Sequence, residues 1–216
     1  MYVPETFAEH RLPILHAAIE SCRLPIFVTT TPDGQAATHV PMLLAPGEGP
    51  FGTLHFHLAR ANPQWRTAAQ APALVIFAGP DGYVSPSWYA AKTEHGRVVP
   101  TWNYITVHAT GTPQTYDDPD RLHALVTRLT KKHEGNRATP WAVNDAPAPY
   151  VASQLRAIVG VALPIASLIG KWKLGQNRSA ADQAGLLAGY AAEATPNYTA
   201  LAAAARQAST KDHSGD

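Results

Sequence analysis

From Leu24 to Thr110 the chain is a succession of short β-rich runs divided by tight-turn signals. That spacing excludes most folds. Leu24–Thr31 is closed by Pro32-Asp33-Gly34, and Gln35–Ala45 returns as the second strand of a hairpin. Gly52–Leu58 alternates, with Leu54, Phe56 and Leu58 on one face and His55 and His57 on the other. Ala73–Ala78 is a buried strand, Gly79-Pro80-Asp81-Gly82 a turn, and Tyr83–Trp88 an edge strand marked by Pro86. Val98–Thr110 is a long strand, and Ile158–Ile169 a buried one. Regular βαβ alternation is missing, so a doubly wound sheet is disfavoured. Six or seven strands joined by turns predict an α+β, mainly β, small antiparallel barrel with peripheral helices.

The helices are placed by the 3.6-residue period. Pro13–Cys22 carries Ile14, Leu15, Ala18 and Ile19 on one face. Asp117–Glu134 has acidic residues at its positive end and Lys131, Lys132 and His133 at its negative end. A turn-rich stretch from Asn136 to Pro149 leads into a further short helix. After Arg178 the chain is Ala-rich, with helices at Asp182–Ala192 and Asn197–Ala208 and a polar tail that frays. One domain with a terminal extension is expected, the domain over residues 1–192 and a helical or disordered C-terminal extension over 193–216.

Between Leu58 and Trp65 a strand ends, Arg60 follows, and Asn62-Pro63 opens a helix. Asn is a favoured N-cap and Pro a favoured first helical residue. Free N–H groups beside a guanidinium make a phosphate seat. The alternative is an ordinary strand-to-helix turn with Arg60 in solvent.

Composition narrows the class. Of 216 residues 45% are apolar and 15% charged, with a net charge of +1. A core is possible and disorder is not expected. The charge announces no nucleic-acid surface, and Lys171-Trp172-Lys173 with the basic end of the 117–134 helix are the modest cationic patches. One cysteine, Cys22, excludes an intramolecular disulfide and a Cys-rich metal site. His39, His55, His57, His108 and His133 show no zinc-binding spacing, so no metal is expected. No run has signal-peptide character or spans a bilayer, which predicts a cytoplasmic protein without a membrane partner.

Five clusters mix hydroxyl, amide or cationic groups with aromatics, the lining a planar phosphorylated ligand wants. They begin at Ala37, His57, Gly79, Val99 and Lys173, and read ATHVP, HLARANPQW, GPDGYVSPSWY, VPTWNY followed by VHATG, and KLGQNR, with LTKKHE ending at Glu134. Taken singly, each is equally a set of core aromatics with partners for their polar ends. In this order they resemble the PaiB-type negative transcriptional regulators, a family also described as an FMN-binding domain. The resemblance covers roughly Met1–Ala192; KLGQNR departs where Gly175 replaces a serine common in the family.

The resemblance implies an FMN-binding split barrel, like that of pyridoxamine-phosphate oxidases, working as a homodimer. It implies Arg60, Asn62 and Gln64 near the phosphate, with His57 a hydrogen-bonding partner beside them. Thr101, Trp102 and Asn103 would line the site with Ser85 and Ser87, and Lys173, Gln176, Asn177 and Arg178 would reach across the dimer. FMN is the implied cofactor, with haem, bound by some related split barrels through histidine, the lesser option. The implied function is negative regulation of transcription, with DNA a partner. The alternatives are a flavin-dependent oxidoreductase, for which no catalytic residue is assigned, and a non-catalytic flavin or haem sensor.

Overall fold

A computed structural model describes residues 1–31 and 34–209. In chain order its elements begin β1 (Ala8–Glu9), α1 (Leu12–Ser21), β2 (Ile26–Thr31), β3 (Gly34–His39), β4 (Leu43–Ala45), β5 (Thr53–Ala59) and α2 (Gln64–Ala68). There follow β6 (Ala73–Val84), α3 (Ala91–Glu94), β7 (Thr101–Gly111), β8 (Gln114–Tyr116) and α4 (Pro119–Glu134). The chain ends with α5 (Ala148–Arg156), β9 (Ile158–Pro164), β10 (Ser167–Lys173), α6 (Ala180–Glu193) and α7 (Pro196–Ser209). Two antiparallel sheets have the orders β1-β10-β7-β6-β2-β3 and β4-β5-β9-β8. The expected α+β split-barrel architecture is the one found.

The chain divides into two compact units, the first comprising Met1–Arg11, Ala78–Val107 and Ile169–Asp216, the second Leu12–Phe77 and His108–Leu168. In the second unit β5 is the organising strand. It pairs with β9 from Thr53↔Pro164 to Ala59↔Ile158 and with β4 from Leu43↔His55 to Ala45↔Thr53. Its alternation holds: Leu54 and Phe56 are fully buried and Leu58 nearly so. Each such side chain stabilises the fold by about 1.5–3 kcal/mol. Phe56 meets Phe27 of β2 edge-on at 4.9 Å.

In the first unit a separate core forms from Val84, Tyr89, Leu174, Leu186, Tyr190 and Leu201. Helices α6 and α7 supply much of it. The Ala-rich residues beyond Glu193 therefore build a core wall, with Leu201 fully buried.

Four expectations about strands are corrected. Gln35–Ala45 is two strands, β3 and β4, in different sheets. The break is Val40-Pro41-Met42, where Pro41 has no N–H to give a ladder. Gly79–Gly82 is no turn; β6 runs straight through it. The glycines there serve close approach, since a Cβ at Gly79 would lie 2.9 Å from the Ile105 carbonyl oxygen and one at Gly82 2.5 Å from the Tyr198 ring. Ile158–Ile169 is divided between β9 and β10, with Ile165 N–H donating to Gly52 O and Ala166 N–H to Thr110 O at the break. Tyr83–Trp88 is not an edge strand: β6 ends at Val84, and Ser85 caps a single 3-10 turn at Pro86–Trp88. The expected turn at Pro32-Asp33-Gly34 falls mainly outside the described residues, as does the polar tail over 210–216.

Helix α4 starts as its sequence implies. Asp118 Oδ1 accepts from Arg121 N–H at 2.8 Å, and Pro119 opens the helix. Asp118→Ala is expected to lower stability by about 1 kcal/mol, seen as a lower urea midpoint with faster amide exchange in the first turn of α4.

Candidate functional site

The sequence-predicted residues fall into two groups, one in each unit. In the second unit the chain leaving β5 folds back at Asn62. Asn62 Oδ1 accepts from Gln64 N–H at 3.0 Å, and its Nδ2 donates to Thr38 Oγ1 at 3.0 Å. Thr38 in turn donates to Gln64 Oε1 at 2.6 Å. The Gln64 amide donates to Thr29 Oγ1 at 3.0 Å, Ala36 O at 3.1 Å and Phe27 O at 3.3 Å. Gln64 is buried, and its side chain pins this corner to the β2–β3 hairpin.

The groups of the expected phosphate seat are committed within the chain. Helix α2 has five residues and begins at Gln64. Arg66 N–H donates to Pro63 O at 3.0 Å, and Gln64 N–H is taken by Asn62. The Arg60 guanidinium donates from Nε to Arg156 O at 2.8 Å and from Nη2 to Ile158 O at 3.1 Å. Its Nη1 lies 3.5 Å from the Asp117 carboxylate. Arg60 thus ties the end of β5 to the junction of α5 and β9.

His57 faces a cavity of about 280 Å³ on the same side of β5 as His55. Its Nδ1 is buried without a hydrogen-bond partner. Burial pushes the imidazole below its usual value of 6.5, so it stays neutral near pH 7. Burial lowers His108 as well. A histidine lowered by folding takes up its proton more readily in the unfolded chain, so the stability it contributes is present above about pH 6.5 and is lost as pH falls. The urea midpoint is expected to fall between about pH 7.5 and about pH 5.5, and to fall less in His57→Gln.

In the first unit, β7 and β10 are neighbours. One face of this pair packs on the core: Asn103 is buried and donates to Tyr190 OH at 2.8 Å, and Ile105 and Trp172 pack beside it. Burial pushes the Tyr190 phenol up to about 12. By strand alternation Trp102, Tyr104, Lys171 and Lys173 share the opposite face. Lys173 Nζ donates to Thr101 Oγ1, and to Trp102 O at 2.7 Å. Burial lowers the Lys173 ammonium from its ordinary value, and the charges of Lys171 and Arg178 push the same way. Lys171 Nζ lies 5.2 Å from the Tyr104 ring centre and 5.8 Å from that of Tyr2, and donates to Tyr2 O at 3.1 Å. Trp102 is 54% exposed and meets Tyr83 edge-on at 6.3 Å. At the start of β7 the Lys173 cation thus meets the Thr101 hydroxyl, one residue from the exposed Trp102 ring.

The remaining expected residues serve local structure. Ser85 accepts from Ser87 N–H at 3.2 Å, and Ser87 Oγ accepts from Lys92 Nζ at 3.2 Å. Gln176 accepts from Leu174 N–H at 2.8 Å and donates to Trp172 O at 2.6 Å. The Arg178 guanidinium stacks 4.8 Å from the Tyr89 ring centre, and Asn177 is exposed. Gly175 has φ +86°, and a Cβ there would come within 2.8 Å of Leu186, so a serine at this position would be strained. Tyr83, Tyr104 and Lys171 join this face without having been expected there; the alternation Ile169, Lys171, Lys173 shows Lys171 once β10 is recognised as a strand.

Among the described residues no group of three His, Cys, Asp or Glu could hold a metal, and no helix is long and apolar enough to cross a membrane.

A family model described as "Putative FMN-binding domain" matches residues 1–167. The protein named Protease synthase and sporulation protein PAI 2, from Bacillus subtilis (strain 168), is 30% identical over 203 residues, covering 94% of this chain and 95% of that protein. Among solved structures, the FAD and heme binding protein from Mycobacterium smegmatis superposes with a TM-score of 0.59 at 19% identity, covering 82% of this chain and 78% of that one. The flavocytochrome Anf3 from Azotobacter vinelandii gives a TM-score of 0.59 at 14% identity, over 85% and 78% of the two chains. At these identities the likeness establishes the fold.

Proposed function

The chain belongs to the "Putative FMN-binding domain" family, and on that premise we propose that it is a flavin-binding regulatory protein that takes FMN on the aromatic and lysine face of its first unit. The observation that carries this reading is the Lys173 ammonium held at the Thr101 hydroxyl beside the half-exposed Trp102 indole.

The donor set fits the cofactor. FMN presents a dianionic phosphate and a flat ring system. Lys173 and Thr101 offer a cation and a hydroxyl to the phosphate, and Trp102 and Tyr83 offer apolar surface to the ring. Lys173 is already partly desolvated, so a bound anion would regain for it the charge interaction that burial removed. When bound, the flavin supplies its own redox chemistry; the protein supplies placement and local charge.

The regulatory part of the reading rests on the Bacillus relative, whose name ties it to protease synthesis and sporulation. Tyr2, Tyr83, Val99, Trp102 and Ile169, all in the first unit, are large apolar side chains left exposed, and a second copy of the chain would cover such a surface. We therefore propose a homodimer, tested by light scattering across a dilution series. Direct repression requires salt-dependent binding to promoter DNA; indifference to DNA at low salt sinks it.

Titration with FMN, followed by flavin fluorescence, tests the site. Lys173→Met is expected to weaken binding by about 10- to 150-fold, the loss of a charge-assisted contact of about 1.5–3 kcal/mol. Arg60→Ala is expected to leave FMN affinity within about threefold, because its guanidinium is held by two carbonyls and Asp117. Loss of binding in Arg60→Ala with none in Lys173→Met would move the phosphate to the second unit.

A further inference from the structure

The His57 cavity in the second unit has no part in the FMN site proposed above, yet it has the features of a small-molecule pocket. Its volume is about 280 Å³, and its walls are largely apolar, from α4, α5 and the start of β9. At its mouth stand Trp141, 49% exposed, and Tyr150, 58% exposed, two of the most exposed large side chains of this unit. Helix α5, which carries Tyr150, Val151 and Leu155, has no buried residue at all. A helix that shows its apolar residues to a cavity, without burying any, lacks a packing partner on that side.

The floor is His57, whose Nδ1 is shut away from water with nothing bound to it. Buried polar atoms are nearly always satisfied, so this unpartnered nitrogen, on a residue that lines the cavity, marks a group awaiting a partner. A neutral imidazole protonated on Nε2 offers Nδ1 as an acceptor. The size also selects. An apolar cavity of about 150 Å³ takes one benzene ring, so about 280 Å³ takes two fused rings. The flanking indole and phenol favour a flat π-system that stacks on them or meets them edge-on.

We propose that this cavity binds a planar two-ring aromatic molecule carrying one hydroxyl or ring N–H, which donates a hydrogen bond to His57 while its rings lie between Trp141 and Tyr150. The site is an effector or substrate pocket distinct from the FMN face. It does not depend on flavin binding.

The test is calorimetric titration of the full chain with 2-naphthol and, in parallel, naphthalene. The wild type is expected to bind 2-naphthol at least about tenfold more tightly than naphthalene, the worth of one satisfied buried acceptor. His57→Phe keeps a ring but no acceptor, and is expected to bring the two probes within about threefold. Should His57→Phe fold poorly, Tyr150→Ala at the exposed mouth is expected to weaken both probes alike by about tenfold while keeping their ratio. Equal binding of the two probes by the wild type, or no binding of either, overturns the proposal. So does displacement of 2-naphthol by FMN, which would make the cavity part of the flavin site. Additive binding with FMN supports two sites. A protein that binds 2-naphthol with the expected ratio but not FMN leaves this pocket standing and removes the flavin reading alone.

Discussion

Replacing Gln64 with leucine is expected to lower the stability of the second unit by about 3–4 kcal/mol, although the two side chains are nearly equal in size. The reason is what the amide leaves behind. Gln64 is 3% exposed and donates to Phe27 O, Thr29 Oγ1 and Ala36 O while accepting from Thr38. Leucine satisfies none of these groups, and each buried polar group left without a partner costs about 1–3 kcal/mol, partly relieved by rearrangement. Leucine also removes the link between the Asn62 turn and the β2–β3 hairpin. At this chain length each kcal/mol shifts the melting temperature by about 2–4 °C, so a fall of about 6–16 °C is expected, with amide exchange accelerated across β2 and β3. Asn62→Ala removes one bond to Thr38 and one turn contact from a half-buried side chain, and is expected to lose only about 1 kcal/mol. A Gln64→Leu protein as stable as the wild type would show that the network is incidental and would reopen Gln64 as a ligand for an incoming phosphate.

That contrast shows what was legible in the sequence and what was not. The turn at Asn62-Pro63 was legible because an Asx turn is local: side chain and bonded N–H are two residues apart. The inward direction of Gln64 was not, because its partners are 26 to 37 residues away and no local pattern tells a buried glutamine from a surface one. Arg60 is similar. Its position after β5 follows from the strand pattern, but the carbonyls that hold it come from Arg156 and Ile158, far along the chain. The alternation of β5 was legible because one of its faces is buried, and period-two patterns record that. Gly79–Gly82 misled for the opposite reason. Its residues have strong turn chemistry, and the approach of Ile105 and Tyr198 overrode it. The division of Ile158–Ile169 was hidden because both halves are apolar, so nothing in composition marks where the chain changes sheets. With β10 unrecognised, Lys171 and Lys173 looked like a basic patch; as alternating residues of a strand they become the cationic part of an aromatic face.

Leu201→Ala is expected to lower the stability of the first unit by about 3 kcal/mol, and removal of the chain after Glu193 to prevent that unit from folding. The Ala-rich composition beyond Ala192 invites the view that these residues are an appendage. The packing argues otherwise. Leu201 is fully buried, at 0% exposure, and it joins Val84, Tyr89, Leu174, Leu186 and Tyr190 in one core, with Ala202 and Ala205 beside it. Tyr198, a turn earlier on α7, lies 5.4 Å from the Tyr190 ring and 6.1 Å from Trp88, and donates its hydroxyl proton to Tyr83 O at 3.0 Å. Alanine suits such a helix because it lets α7 approach α6 and β6 closely while keeping high helix propensity. Truncating a buried leucine in a close-packed core costs about 2–5 kcal/mol, the spread depending on how far the cavity collapses. The near-ultraviolet dichroism of the Trp88, Tyr190 and Tyr198 cluster reports this core directly, and it is expected to melt earlier in Leu201→Ala. The consequence reaches function through Asn103 and Tyr190. Their hydrogen bond anchors the inner face of β7, and Thr101 and Trp102 lie at the start of the same strand. If FMN sits on the face proposed above, loosening the core is expected to weaken its binding although Leu201 is no part of that face. A truncated chain with unchanged melting and unchanged dichroism would show α7 to be dispensable and would place the limit of the folded domain at Glu193.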